Sequence, residues 1–218
     1  MGPLDSKRLI AERAYTDLRE RIVTLRLAPG TVLREDELMR ELEIGRTPLR
    51  EAVQRLALES LVAVQPRRGT FVTSVGSADI VHITEVRAEL EAQAAGLAAL
   101  RMDDDARERA GALGRELDAL EGQGDHDALI HLDERVHRLI WEAGANPYLL
   151  GTLERYFALS LRIWYVVLDR VPTLGGAVRD QALLLEAVLA GDPHRAESIM
   201  HDHVLGFQRE ILRVFDSE

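Results

Sequence analysis

The stretch Gly45-Arg46-Thr47-Pro48-Leu49-Arg50-Glu51-Ala52-Val53-Gln54-Arg55-Leu56 constrains the fold more than any other part of the chain. Leu49, Ala52, Val53 and Leu56 recur at helical spacing and face a core, while Arg46, Arg50 and Gln54, each four residues apart, share another face. Pro48 fits only a first helical turn, so the helix starts just before it. The polar face suits a DNA major groove. Arginine can bridge guanine O6 and N7, glutamine can do the same for adenine N6 and N7, and Thr47 can hold a phosphate. A solvated helix surface has the same pattern, so the flanking residues must decide.

Upstream, residues 7–27 carry Leu9, Ala14, Leu18, Ile22 and Leu25 at mixed three- and four-residue spacing, which predicts a first helix ended by Ala28-Pro29-Gly30. A second helix is predicted over 35–42, with Glu35, Asp36 and Glu37 in its first turn and Leu38 and Leu42 facing inward. Glu43-Ile44-Gly45 is a short turn into the arginine-bearing helix, and two short helices so joined form a helix-turn-helix. Downstream, Leu61-Val62-Ala63-Val64-Gln65 and Thr70-Phe71-Val72-Thr73 flank Pro66-Arg67-Arg68-Gly69. This predicts a β-hairpin whose basic tip, Arg67 and Arg68, reaches a phosphate or minor groove, with Gly69 supplying a backbone conformation open to few residues. The whole is a winged helix.

The net charge of −10 argues against a nucleic-acid partner until it is divided. Residues 1–76 hold 13 Lys and Arg against 11 Asp and Glu, a balance of +2, and the remainder carries −12. Only the first part can approach phosphate without strong repulsion, and the asymmetry implies two tasks. The sequence places a winged-helix DNA-binding domain at 1–76 and a second domain at 77–218, joined through Ser74-Val75-Gly76-Ser77, with Ser77 capping the next helix. There is no cysteine for a disulfide or thiolate site. No apolar run is long enough to span a membrane, so a soluble cytoplasmic protein is expected.

The second domain reads as an all-helical bundle, giving a mostly α fold overall. Helical patterns cover 78–101, 104–120, 126–143, 147–168, 177–190 and 193–215, broken at Asp103, Gly122-Gln123-Gly124, Asn146-Pro147, residues 172–176 and Gly191-Asp192-Pro193. Ionisable residues that interrupt the apolar stripes are informative, because an inward charge is costly unless paired or used. Ile130, Asp133, His137 and Ile140 share one stripe; Ala196, Met200, His203, Phe207, Ile211 and Val214 share another; Val178, Gln181, Ala182 and Leu185 form a third. Asp133 and His137 one turn apart, with His203 from another helix, suit a divalent metal such as Zn²⁺ or Ni²⁺. A hydrogen-bonded pair with His203 buried nearby fits the same spacing. Two arginines also lie inward. Arg87 shares a stripe with Ile83, Leu90, Ala94 and Leu97 and has Glu91 one turn on. Arg162 lies in an otherwise apolar segment and needs an anion, either a small carboxylate ligand or an internal partner such as Glu91 or Glu186.

Residues 28–72, with Pro29-Gly30, Leu33, Leu38, Arg46-Thr47-Pro48-Leu49-Arg50-Glu51-Ala52, Leu56 and Arg68-Gly69, resemble the DNA-binding domain of the GntR family of bacterial transcription regulators. The resemblance implies that a homodimer contacts double-stranded operator DNA through Arg46, Thr47, Arg50 and Gly69. Two positions depart from the family: Gly45 stands where serine is common, and Asp36 stands where some members carry a DNA-contacting arginine. Residues 79–215, with Arg87 and Glu91, Asp133 and His137, Asn146-Pro147, Gly191-Asp192, Met200 and His203, resemble the FCD ligand-sensing domain. That resemblance implies a small organic acid as effector above a divalent cation held by Asp133, His137 and His203, with Gln181 as a weaker ligand at a position that is usually histidine. The expectation is a ligand-responsive regulator, most often a repressor in this family. The alternatives are a metal-dependent hydrolase with an accessory DNA-binding domain, and an architectural DNA binder with a structural bundle.

Overall fold

The computed structural model describes residues 3–120, 126–167 and 175–215. Its elements are α1 (Pro3–Val23), β1 (Val32–Leu33), α2 (Glu35–Glu41), α3 (Arg46–Leu58), β2 (Val62–Gln65), β3 (Gly69–Val72), α4 (Ser77–Arg101), α5 (Asp104–Leu120), α6 (His126–Ala143), α7 (Pro147–Val167), α8 (Gly175–Leu189) and α9 (Pro193–Phe215). Two compact units result, Met1–Gly76 with Ala158–Val166, and Ser77–Phe157 with Val167–Glu218. The first unit thus takes in the second half of α7, a segment distant in sequence from the winged helix.

In the first unit α1 crosses α3, and Leu18, Ile22, Leu49, Ala52 and Leu56 are fully buried between them. Each buried leucine contributes about 1.5–3 kcal/mol relative to exposure. Polar contacts fix the crossing: Tyr15 donates to Glu59 at 2.5 Å, Arg55 donates to Glu12 at 2.6 Å, and the Arg55 guanidinium lies 3.7 Å from the Tyr15 ring centre. The first helix ends at Val23, earlier than its apolar spacing predicts. Leu25 adopts φ 61 and the Leu27 amide donates to the Arg21 carbonyl at 2.8 Å, a left-handed reversal that stops the helix although Leu25 continues the stripe.

The wing is a three-stranded antiparallel sheet in the order β1-β3-β2. The hairpin of β2 and β3 is as predicted; β1, two residues pairing Val32 with Phe71 and Leu33 with Thr70, is an addition. At the tip, Gly69 has φ 104 and Arg67 φ 64, so the turn uses the left-handed region at two positions.

The second unit is helical throughout its described residues. Ala88, Ala94, Ala95, Ala98 and Ala99 are buried on α4, which packs along α9, where Ala196, Met200, Val204 and Ile211 are buried. A Cβ at Gly96 would meet the Glu197 side chain, a sign of how closely the two helices approach. Helix starts follow local chemistry. Asp103 Oδ1 accepts from the Ala106 amide at 2.8 Å, Asn146 Oδ1 from Tyr148 and Leu149 at 3.2 and 3.3 Å, and Asp192 Oδ1 from Arg195 at 3.1 Å. Pro147 and Pro193 then occupy first helical positions. Ser77 is the first residue of α4 itself, and α8 starts at Gly175, two residues before the expected start. The predicted break at Gly122-Gln123-Gly124, and 172–174 of the break before α8, lie outside the described residues. Among the described residues no helix is long and apolar enough to cross a membrane.

Candidate functional site

Two sites emerge, one in each unit. On α3 the core side chains Leu49, Ala52 and Leu56 turn inward, and Arg46, Thr47, Arg50 and Gln54 are exposed together on another side. Gly45 is the N-cap and offers no side-chain hydrogen bond. The first turn of α3 contains no acidic residue, so its free amides and dipole favour a phosphate there. Arg67, Arg68 and Gly69 are exposed at the wing tip. One feature was not anticipated: Glu35 at the start of α2 lies 3.3 Å from Arg50 Nε and 3.8 Å from Arg46 Nε, and Asp36 lies 3.6 Å from Arg46 Nη2.

In the second unit Asp133 and His137 of α6 meet His203 of α9. His137 Nε2 is 3.2 Å from His203 Nε2 and 3.6 Å from Asp133 Oδ1, and His203 Nε2 is 3.5 Å from the same oxygen. Tetrahedral ligands at 2.0–2.1 Å from one cation stand about 3.3 Å apart, so the triangle has the dimensions of a divalent-metal site. Two imidazole nitrogens and a carboxylate oxygen are also the donor chemistry that Zn²⁺ or Ni²⁺ takes. Gln181, expected as a weaker ligand, lies against the same carboxylate, its amide N–H donating to Asp133 Oδ1.

Glu91 of α4 completes this arrangement. Fully buried, it accepts from His137 Nδ1, from Arg87 Nε at 2.6 Å and from Trp141 Nε1 at 3.3 Å. The bond at Nδ1 leaves the Nε2 lone pair of His137 for the cluster, the carboxylate–histidine arrangement of metal sites. Burial pushes the Glu91 carboxyl up, but the charges of Arg87 and His137 outweigh this and hold it at about 2. Burial opposes a proton on His137 as well, and the Glu91 and Asp133 carboxylates override it, raising the imidazole to about 9. Asp133 is held well below the usual carboxylate range, with His137 outweighing burial; His203 is raised, with Asp133 and Asp180 outweighing burial. A cation at the three donors would therefore take the place of protons.

Arg87 is buried beside this network, its guanidinium 5.1 Å from the Phe157 ring centre and 5.8 Å from that of Phe207. Phe157 and Trp141 in turn flank His137, at 5.2 and 5.8 Å between ring centres. Arg162 is fully buried as its sequence context predicts, and it reaches a residue that the sequence did not suggest. Nη1 donates to Thr73 Oγ1 at 2.8 Å and Nη2 to the Thr73 carbonyl, which meets the buried cation with oxygens at the end of the wing. The sequence does signal Glu91: it lies four residues after Arg87 and seven after Thr84, on the face of α4 that the structure buries.

Residues 10–72 match the bacterial regulatory proteins of the gntR family, and residues 82–206 match the FCD domain. The transcriptional repressor GlaR of Escherichia coli is 31% identical over 201 residues, 88% of this chain and 90% of its own length. The transcriptional repressor RspR of the same species is 25% identical over 206 residues, 94% of this chain and 90% of its own. Among solved structures, E. coli McbR/YncC superposes with a TM-score of 0.80 at 22% identity, covering 95% of this chain and 98% of that one. The metal-free FCD domain of TM0439 gives 0.54 at 18% identity, covering 66% and 99%. At these identities the structures speak for the fold, whereas the sequence matches speak for descent. The family consists of transcription regulators and not enzymes, which sets the hydrolase alternative aside. The chain belongs to the GntR family of bacterial transcription regulators, with a winged helix-turn-helix followed by an FCD domain.

Proposed function

We propose that this regulator is a homodimeric, cytoplasmic repressor that releases or retains its operator in response to a small carboxylate. Arg46, Thr47, Arg50 and Gln54 enter the major groove of double-stranded DNA, with Arg67, Arg68 and Gly69 on the adjacent backbone or minor groove. Two such helices, one per protomer, meet half-sites about one helical turn apart. The carboxylate binds beside Arg87, and a divalent metal is held by Asp133, His137 and His203. A cation there supplies a Lewis-acidic anchor for a carboxylate oxygen. Arg162 is left to hold Thr73. The effector shifts operator affinity only by the difference between its affinities for the two states of the dimer.

The observation that carries the sensing half of this reading is the triangle of Asp133, His137 and His203 donors, with edges of 3.2, 3.5 and 3.6 Å. Its test is a melting-temperature screen of the protein with chelator, with Zn²⁺ or Ni²⁺, and with each metal plus a panel of organic acids. Metal raises the melting temperature, an acid raises it further, and His137→Ala loses the metal increment. A protein indifferent to both metals would remove the cation from the proposal; indifference to every acid would remove the carboxylate.

A further inference from the structure

The arginines of α3 are already in ionic contact before any DNA arrives. Arg50 Nε lies 3.3 Å from Glu35 Oε1, and Arg46 reaches Glu35 at 3.8 Å and Asp36 at 3.6 Å. These side chains, with Arg34 and Arg40, line one open concavity beside α3. All of them keep 40% or more of their surface in solvent where they pair, so the contacts add little to fold stability. Their consequence is for what the arginines can bind.

An arginine has two ways to meet DNA. Its terminal amino groups can grip O6 and N7 of guanine, or the whole fork can settle on a phosphate. The contact from Arg50 Nε to Glu35 occupies the inner edge of the guanidinium and leaves the terminal pair free, which is the pair that guanine requires. The same carboxylates repel a phosphate that approaches the concavity. Glu35, Asp36 and Glu37 thus offset most of the attraction that Arg34, Arg40, Arg46 and Arg50 hold for a phosphate, while a guanine edge, being neutral, loses nothing by them. Asp36 sharpens the point, because an arginine at this position would attract the backbone that the aspartate opposes.

We propose that Glu35 and Asp36 determine the specificity of the DNA contact, Glu35 holding Arg50 for base edges and both carboxylates opposing the capture of Arg50 and Arg46 by phosphate. This rests on the reading of α3 as the helix that enters the groove. It makes the two carboxylates positioning residues: they act through the arginines and lower affinity for unrelated DNA more than for the operator.

The test uses the full chain. A preferred duplex is first selected from a random pool by the parent protein. Fluorescence anisotropy then measures parent, Glu35→Gln, Asp36→Asn and Arg50→Ala on that duplex and on a scrambled duplex of equal length, at several salt concentrations. Circular dichroism confirms that each variant is folded. Glu35→Gln and Asp36→Asn are expected to tighten binding to the scrambled duplex about tenfold, with a salt slope steeper by about one, and to shrink the preference for the selected duplex. An unchanged preference in both variants overturns the inference, and so does equal weakening on both duplexes, the mark of a merely structural role. Arg50→Ala separates this from the underlying reading: if it keeps the parent's full preference, or if no duplex is enriched at all, α3 is not the reading helix.

Discussion

Replacing Glu91 by glutamine tests the buried network of α4 and α6 with almost no change of shape. No cavity is made; what disappears is the negative charge among Arg87, His137 and Trp141. Arg87 remains at 4% exposure, now facing a neutral amide. Removing one partner of a buried pair costs about 3–5 kcal/mol. The carboxyl itself gives a second measure, since its displacement from 4.5 to about 2 corresponds to about 3 kcal/mol at neutral pH. For a chain of this size each kcal/mol moves the melting temperature by about 2–4 °C, so Glu91→Gln should melt about 10 °C below the parent in chelator. The pH dependence has a fixed sign. The folded carboxyl lies below its unfolded value, so its contribution is complete above about 4.5 and is lost as pH falls towards about 2. His137 runs the other way: raised from 6.5 to about 9, it contributes fully below 6.5 and loses that contribution as pH rises through about 9. Scanning fluorimetry from acid to alkaline pH should therefore show the widest gap between parent and variant in the middle of the range, narrowing at both ends. The double variant Arg87→Met, Glu91→Met removes both charges and should recover most of the loss. A gap under about 2 °C at pH 7, or a double variant no better than Glu91→Gln, would show that charge is not what the site depends on.

Gln181→His returns an imidazole beside Asp133 and should raise Zn²⁺ affinity at least tenfold by competition with a chromogenic chelator; equal affinity would mean that position 181 does not face the cation. Arg162→Ala removes the donors to Thr73 and empties a fully buried site, costing about 3 kcal/mol in urea unfolding while leaving Zn²⁺ affinity unchanged, and a loss of metal binding would contradict the separate role assigned to Arg162.

The parts of this chain that were legible in its sequence are those governed by near neighbours. Asp103, Asn146 and Asp192 cap helices within three residues, which is why those breaks could be placed, and the burial of Leu49, Ala52 and Leu56 follows from spacing alone. The pairing of Arg87 with Glu91 was visible for the same reason, being one helical turn long. What could not be read depends on contacts between distant residues. The two residues of β1 have no pattern of their own and exist through their bonds to β3. Arg162 announces a buried cation, but Thr73 lies 89 residues away and carries no charge to suggest the match. The hold of Glu91 on His137 spans 46 residues, and that of Glu35 on Arg50 crosses from one helix to the next. Leu25 misled in the opposite sense, continuing the apolar repeat while its backbone had already reversed.

Trp141 gives the Asp133, His137 and His203 cluster an optical readout. The chain has two tryptophans, and this one is buried with its indole N–H on Glu91 and its ring 5.8 Å from that of His137. A protonated imidazole at that range quenches indole emission, so exchange of a proton for a cation at His137 changes the brightness of a fluorophore the protein already carries. Trp164, the other emitter, belongs to the unit of the winged helix. With Trp164→Phe as the silent background, binding of Zn²⁺ or Ni²⁺ at the cluster can be followed in real time without a label.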